Sequence, residues 1–211
     1  MKTKIKIFAS AIFFLCFILL ISCGPTLKLK TFVDPSLQAS SIKSIAVFPM
    51  RNAAFDPGET MDINRGITQG FQQKNSGVKI IGASESVEML NQHGLVDKFS
   101  NMLGVFESSG IPNATTLKEI GEKLGINAIL QGRLSDVSQQ DGHWGAGAEV
   151  GQTSLTIRYT LLSTKDGAIL WEGICSATKK GGAATTKAPP LYQVALLAQN
   201  KIITSIPLLG K

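Results

Sequence analysis

The chain has 211 residues, a formal net charge of +6 and three cysteines. Lys2, Lys4 and Lys6 supply three of those charges, so residues 23–211 fall from +6 to +3. That modest balance, without a dense Lys/Arg cluster or basic residues interleaved with aromatics, excludes nucleic acid as the partner. The same stretch is the size of one domain with enough core to be stable alone.

After the basic start, Ile7 to Ile21 (IFASAIFFLCFILLI) is apolar and uncharged. It is shorter than the roughly 20 residues a helix needs to cross the hydrocarbon core, so an export signal fits better than a permanent span. Its end, Leu20-Ile21-Ser22-Cys23-Gly24, resembles the lipobox of bacterial lipoproteins: aliphatic at −3, small at −1, Cys at +1. The resemblance implies cleavage after Ser22 and a diacylglycerol on the Cys23 thiol, with the freed amine often acylated as well. Gly24, standing where Asp tends to retain lipoproteins in the inner membrane, implies the outer membrane. An uncleaved N-terminal anchor with an incidental cysteine is the alternative. With Cys16 leaving and Cys23 lipidated, Cys175 has no intramolecular partner, and the fold uses no disulfide. Within 169–176 Cys175 reads as a small buried hydrophobe.

Residues 24–41 hold Pro25, Pro35 and several Ser with no helical period, and read as a tether. The expected plan is a signal peptide over 1–22, a lipidated tether over 23–41 and one domain over 42–211. In that domain Ser44 to Phe48 is a buried strand closed by Pro49. Asp62 to Lys74 has a helical period that Gly66 and Gly70 weaken, although these glycines suit close packing on a sheet. Val78 to Ile81 is a short strand. Ser84 can cap a helix over Glu85 to Gln92, ended by Gly94, and Leu95 to Ser108 is a further helix. Thr116-Leu-Lys-Glu119 has the capping-box pattern ahead of the Leu117, Ile120, Leu124 stripe, which Gly125 stops.

The C-terminal half changes character. Asn127 to Val137, Thr153 to Ser163 and Ala168 to Thr178 are strands, the last two joined by a turn at Lys165-Asp166-Gly167. Leu191 to Ile206 is an amphipathic helix. The order β-α-β-α-α-α-β-β-β-α makes a single-domain α/β fold, a mixed β-sheet with antiparallel C-terminal hairpins packed against helices.

The opening SIAVFP strand, the LGINAILQGRLSDV junction and the LTIRYTLLSTKDGAILWEG hairpin, with Gly132, Asp166-Gly167 and Trp171, resemble one group of envelope lipoproteins. It includes CsgG, LpoB, PelC and the N-terminal domain of TolB, and the likeness covers about residues 42–206. It implies an architecture and no active site, because members serve as pores, synthase activators and scaffolds. The pore-forming members need long amphipathic hairpins. The insertions at 49–61, 139–152 and 179–190 are too short or too glycine-rich for that.

The search for chemistry is mostly negative. Ser40-x-x-Lys43 and Ser176-x-x-Lys179 match Ser-x-x-Lys but lack the accompanying Lys-Thr-Gly or Ser-Asp-Asn. Gly145 to Val150 lacks the third glycine of a dinucleotide fingerprint and precedes a strand. His93 and His143 have no ligand-spaced neighbours, and Asp141 with His143 is only two ligands, so no metal or cofactor is expected. The most informative surface is Gln139 to Gly151 (QQDGHWGAGAEVG). There Trp144, beside His143, has three readings: folded back on the sheet, an anchor for a partner, or insertion at a membrane interface. Lys179 to Pro190 is a second, simpler candidate, a solvated loop.

These features together predict a non-catalytic, lipid-anchored, periplasm-facing lipoprotein of the outer membrane. It would act as a protein-binding adaptor or regulator in cell-envelope biogenesis, as a cell-wall synthase activator does. The alternative is an oligomeric ring scaffold or accessory subunit for secretion or polysaccharide export. Expected partners are the membrane through Cys23 and an envelope protein or further copies of the chain. An enzyme is the third class, and no residue pattern supports it.

Overall fold

Thr26–Val33 forms a strand, β1, that pairs antiparallel along its whole length with a strand at the far end of the sequence. Over 26–33 a strand replaces the tether expected at 24–41, and the reason is periodicity. Leu27 and Leu29 alternate with Lys28 and Lys30, so one face packs on the core while the lysines face solvent. Lysines along an outer strand also discourage edge-to-edge pairing between molecules. The computed structural model describes residues 24–35, 37, 42–52, 54–145, 148–182 and 185–209. The leader over 1–22, Cys23 and Ser40 therefore lie outside the described residues.

The remaining elements are Ser44–Arg51 (β2), Pro57–Lys74 (α1), Lys79–Ile81 (β3), Ala83–Gln92 (α2), Val96–Ser109 (α3) and Ala114–Leu124 (α4). Ala128–Gln140 (β4), Gln152–Ser163 (β5), Ile169–Lys180 (β6) and Leu191–Ile203 (α5) complete the chain. Apart from β1, the element order is the expected one. The six strands make one open mixed sheet in the order β1-β6-β5-β4-β2-β3. β2 runs parallel to β3 and β4, and every other pair is antiparallel.

Two apolar clusters lie on opposite faces of this sheet. On one, Ile45, Val47, Leu130, Tyr159 and Trp171 pack against Ile63, Ile67 and Phe71 of α1 and Val194, Ala198 and Ile202 of α5. On the other, Ala46, Phe48, Ile129 and Leu162 meet Leu90, Phe99, Met102, Leu117 and Ile120 from α2, α3 and α4. Helices cover β2 on both sides, which is why Ser44–Phe48 reads as a continuous run instead of alternating. The strand continues through Pro49, where its register against β4 shifts between Phe48 and Arg51, a place that tolerates a missing donor.

Helix boundaries differ from expectation where side-chain caps decide them. α1 begins at Pro57, not Asp62, because Asp56 accepts from the Glu59 N–H at 2.8 Å and Glu59 reaches back to the Asp56 N–H. Asp56→Ala is expected to cost about 1 kcal/mol, read as a lower denaturant midpoint at unchanged slope. α2 starts after Gly82 with no side-chain cap, so Ser84 lies inside it. α4 starts after Asn113, whose carbonyl accepts from the Thr116 N–H at 3.0 Å, so Thr116 is helical and not the cap. Gly66 and Gly70 face α5 and not the sheet. A Cβ on Gly70 would sit 2.9 Å from Ile203 side-chain atoms, and one on Gly66 2.9 Å from the Gln199 carbonyl. The hairpin turn into β6 forms as expected, with Gly167 at φ 76°.

Candidate functional site

The antiparallel run β4-β5-β6-β1 gathers several loops at one end of the sheet. Ser138 pairs with Ser154, Ser154 with Thr178, and Thr178 with Thr26. The β4–β5 loop, the segment after β6 and the first residues of β1 therefore share that end. The two loops are knit together by backbone groups. Gly142 N–H donates to the Thr186 carbonyl at 2.6 Å, Gly181 N–H to the Gly151 carbonyl at 2.7 Å, and Ala188 N–H to the Asp141 carboxylate at 2.8 Å. Gln139 and Thr153 both donate to the Pro189 carbonyl, at 2.9 and 2.6 Å. A Cβ on Gly142 would collide with the Glu149 carbonyl, and one on Gly151 with the Thr186 carbonyl. These glycines serve close backbone approach, so the loop after Lys179 is braced and not merely solvated.

His143 and Glu149 exchange backbone hydrogen bonds at 3.0 and 3.1 Å and close a small turn. Trp144 projects from it, 66% exposed, with half-exposed Val137 and Val150 nearby in sequence. At 66% exposure Trp144 is not packed on the sheet, unlike in the reading in which it folds back. His143 is exposed beside it.

Of the two Ser-x-x-Lys matches only Ser176 with Lys179 lies within the described residues, and its side chains are not brought together. Ser176 and Lys179 are three residues apart on β6 and so point to opposite faces; the Ser176 hydroxyl lies 3.0 Å from that of Thr156. Asp141 spends its carboxylate on Ala188, and among the described residues no group of three or more His, Cys, Asp or Glu is arranged to hold a metal. Cys175 is buried, and burial pushes its thiol above the ordinary range. Burial likewise pushes the Tyr159 phenol far up. Its oxygen accepts from Gln199 at 2.9 Å, and Gln199 also donates to the Ile63 carbonyl at 2.6 Å, a bond that ties α5 to α1 and β5. These are structural groups.

A second concave surface was not foreseen. A groove of about 1110 Å³ opens where β2 and β3 end, with Met50, Phe55, Asn64, Arg65 and Ser84 in its lining. It lies outside the carboxyl ends of two parallel strands whose connections leave to opposite faces, the usual location for ligands in open α/β sheets. Asn64 is only 8% exposed, and its carbonyl accepts from the Met50 N–H at 2.9 Å. No sequence signal marks this groove, because it is assembled from two strand–helix junctions about 30 residues apart.

No family model and no curated protein matches the chain. Among solved structures it is similar to the PelC dodecamer of Paraburkholderia phytofirmans, at 13% identity over 85% of this chain and 96% of that one, with a TM-score of 0.45. Lipoprotein GNA1162 from Neisseria meningitidis is 15% identical over 78% of this chain and 99% of that one, with a TM-score of 0.41. The LpoB C-terminal domain of Salmonella enterica is 14% identical over 68% of this chain and 86% of that one, with a TM-score of 0.36. PelC and LpoB belong to the envelope group that residues 42–206 resemble. At these TM-scores the likenesses say nothing of what this chain binds.

Proposed function

We propose that the chain is a non-catalytic, lipid-anchored lipoprotein of the outer membrane, facing the periplasm, that works as a protein-binding adaptor or regulator in envelope biogenesis. The observation that carries this reading is the position of β1. Only Gly24 and Pro25 separate Cys23 from Thr26 in sequence, so a lipid on Cys23 would be joined to the sheet end that bears Trp144 by no more than about 11 Å of backbone. From Thr26 to β4 is three strand spacings, roughly 14 Å. An exposed indole on a braced loop, held that close to a bilayer, is placed to grip a partner that itself sits at the membrane surface.

The test is capture of partners by crosslinking the lipidated protein in its own envelope. Trp144→Ala is expected to weaken capture several-fold while moving the melting temperature by no more than about 0.5 kcal/mol would. Unchanged capture would remove the Trp144 loop from the interface. Binding of the protein to bare lipid vesicles that the same variant abolishes would favour insertion into the interface instead.

One observation favours the second reading, a ring scaffold: among the described residues no helix covers the β4-β5-β6-β1 half of one sheet face, which leaves room for a neighbouring copy to pack face to face, the β1 lysines opposing only edge-to-edge pairing. Light scattering on the detergent-solubilised protein separates the two, since a clean monomer is incompatible with a ring.

A further inference from the structure

We propose that the uncovered half of the sheet is a binding face for an acidic, hydroxyl-rich glycan. The helices α2, α3 and α4 pack on β2, β3, the start of β4, the end of β5 and Ile169 at the start of β6. Beyond them the same face of β4, β5, β6 and β1 meets solvent. The register sets its side chains in two rows, Arg133–Arg158–Ile174–Lys30 and Ser135–Thr156–Ser176–Lys28.

Charge is the first argument. Arg133 and Arg158 stand directly opposite each other on adjacent antiparallel strands, an arrangement that destabilises a sheet unless an anion intervenes. One carboxylate reaches the pair: Glu172, 3.6 Å from Arg158 and also bonded by the Thr160 hydroxyl at 3.3 Å. Glu107, at the margin, is held by Arg51 at 2.9 Å, and Asp136 takes the Ser135 hydroxyl at 3.1 Å. Among the described residues no carboxylate forms an ion pair with Arg133, Lys28 or Lys30. Four cations stand against Glu172 and Asp136, with Arg51 and Glu107 cancelling at the margin, so the face is left positive and a polyanion complements it.

Shape and polarity choose the kind of polyanion. The face is set with hydroxyls, and Phe32, in register with Glu172, stands on it 48% exposed. Along the two rows the side chains are cations and hydroxyls with Ile174 alone apolar, so that stretch lacks the clustered apolar side chains in which protein partners seat their anchoring residues. At the α3 end the arginine row closes into a pocket of about 280 Å³ walled by Leu103 and Phe106. Gln131, 7% exposed, lines it; its amide donates to the Pro49 and Gly132 carbonyls, and its own carbonyl has no donor among the described residues. A uronic-acid carboxylate suits the two guanidinium forks of Arg133 and Arg158, which line the same pocket.

The inference is independent of the Trp144 loop and is tested on the full chain in detergent, with polygalacturonate as the probe and dextran as the neutral control. Polygalacturonate should bind and dextran should not, and binding should weaken as salt rises. Arg133→Gln with Arg158→Gln should weaken it by about tenfold or more, Arg133→Lys with Arg158→Lys by clearly less, and Trp144→Ala should leave it unchanged. Equal affinity for dextran, or no effect of neutralising both arginines and both lysines in a variant with unchanged circular dichroism, overturns the proposal. Two competitors used on the unmodified protein settle the class without relying on any variant. Poly-glutamate bound as tightly as polygalacturonate would make the face an acidic-protein site. Anionic phosphatidylglycerol vesicles that displace polygalacturonate would make it a lipid site. Either result overturns the glycan assignment.

Discussion

Protein purified from membranes is expected to have an intact mass that lacks residues 1–22 and carries added acyl chains, and Cys23→Ala is expected to abolish both changes. The Cys23 thiol is the group that would take the diacylglycerol and its amine is the one that cleavage would free, so a single substitution removes two events. Membrane pelleting alone is a poor measure, because an uncleaved leader keeps the apolar Ile7 to Ile21 stretch and still holds the chain at a bilayer. Mass spectrometry separates the cases. A wild-type mass equal to the unprocessed, unmodified sequence would remove the lipid anchor and with it the membrane-proximal placement of the sheet end. The expected energetic contrast is large. One chain gives marginal binding and two give a stable anchor, at about 0.8 kcal/mol per buried methylene.

The largest loss of stability is expected from Trp171→Ala. Trp171 is fully buried on β6, meets Phe71 of α1 edge-on at a centroid distance of 5.8 Å, and lies over Gly173 within reach of Ile202 from α5. Removing it opens a cavity where β6, α1 and α5 converge. The cost should be about 3–5 kcal/mol, a fall of roughly 6–20 °C in Tm for a domain of this size. Trp171→Phe is the informative companion. The indole nitrogen is buried with no hydrogen-bond partner among the described residues, so the ring can be replaced without orphaning an acceptor there. That change should cost less than about 1.5 kcal/mol. An equal fall for both variants would mean the indole N–H has a partner in solution. Trp144→Ala should lie near zero on the same scale, which makes the two tryptophans a matched pair.

How far the sequence could be read depended on whether a feature was local. Strands β5 and β6, the Gly167 turn and the Leu117, Ile120, Leu124 stripe were legible because alternation and helical period act within a few residues. Caps were harder, since Asp56 and Asn113 compete with neighbours of equal propensity and only side-chain geometry chooses between them. β1 was misread for another reason. Its Leu27-Lys28-Leu29-Lys30 alternation is brief and bracketed by prolines, and its stability comes from β6, more than 130 residues away. The Trp144 loop was visible as a candidate, but not the bracing that holds it. The groove beside Asn64 and the opposed arginines were invisible, because both exist only through strand register.

The pairing of β1 with β6 has a mechanical consequence. A pull on the lipidated N-terminus leaves β1 at Thr26 and acts along the strand, while its hydrogen bonds to β6 lie across it. Load then falls on the whole ladder from Thr26 to Val33 at once, in shear, instead of opening it one rung at a time. A domain attached this way resists tension from its partner, which the flexible leash first expected at those residues would not.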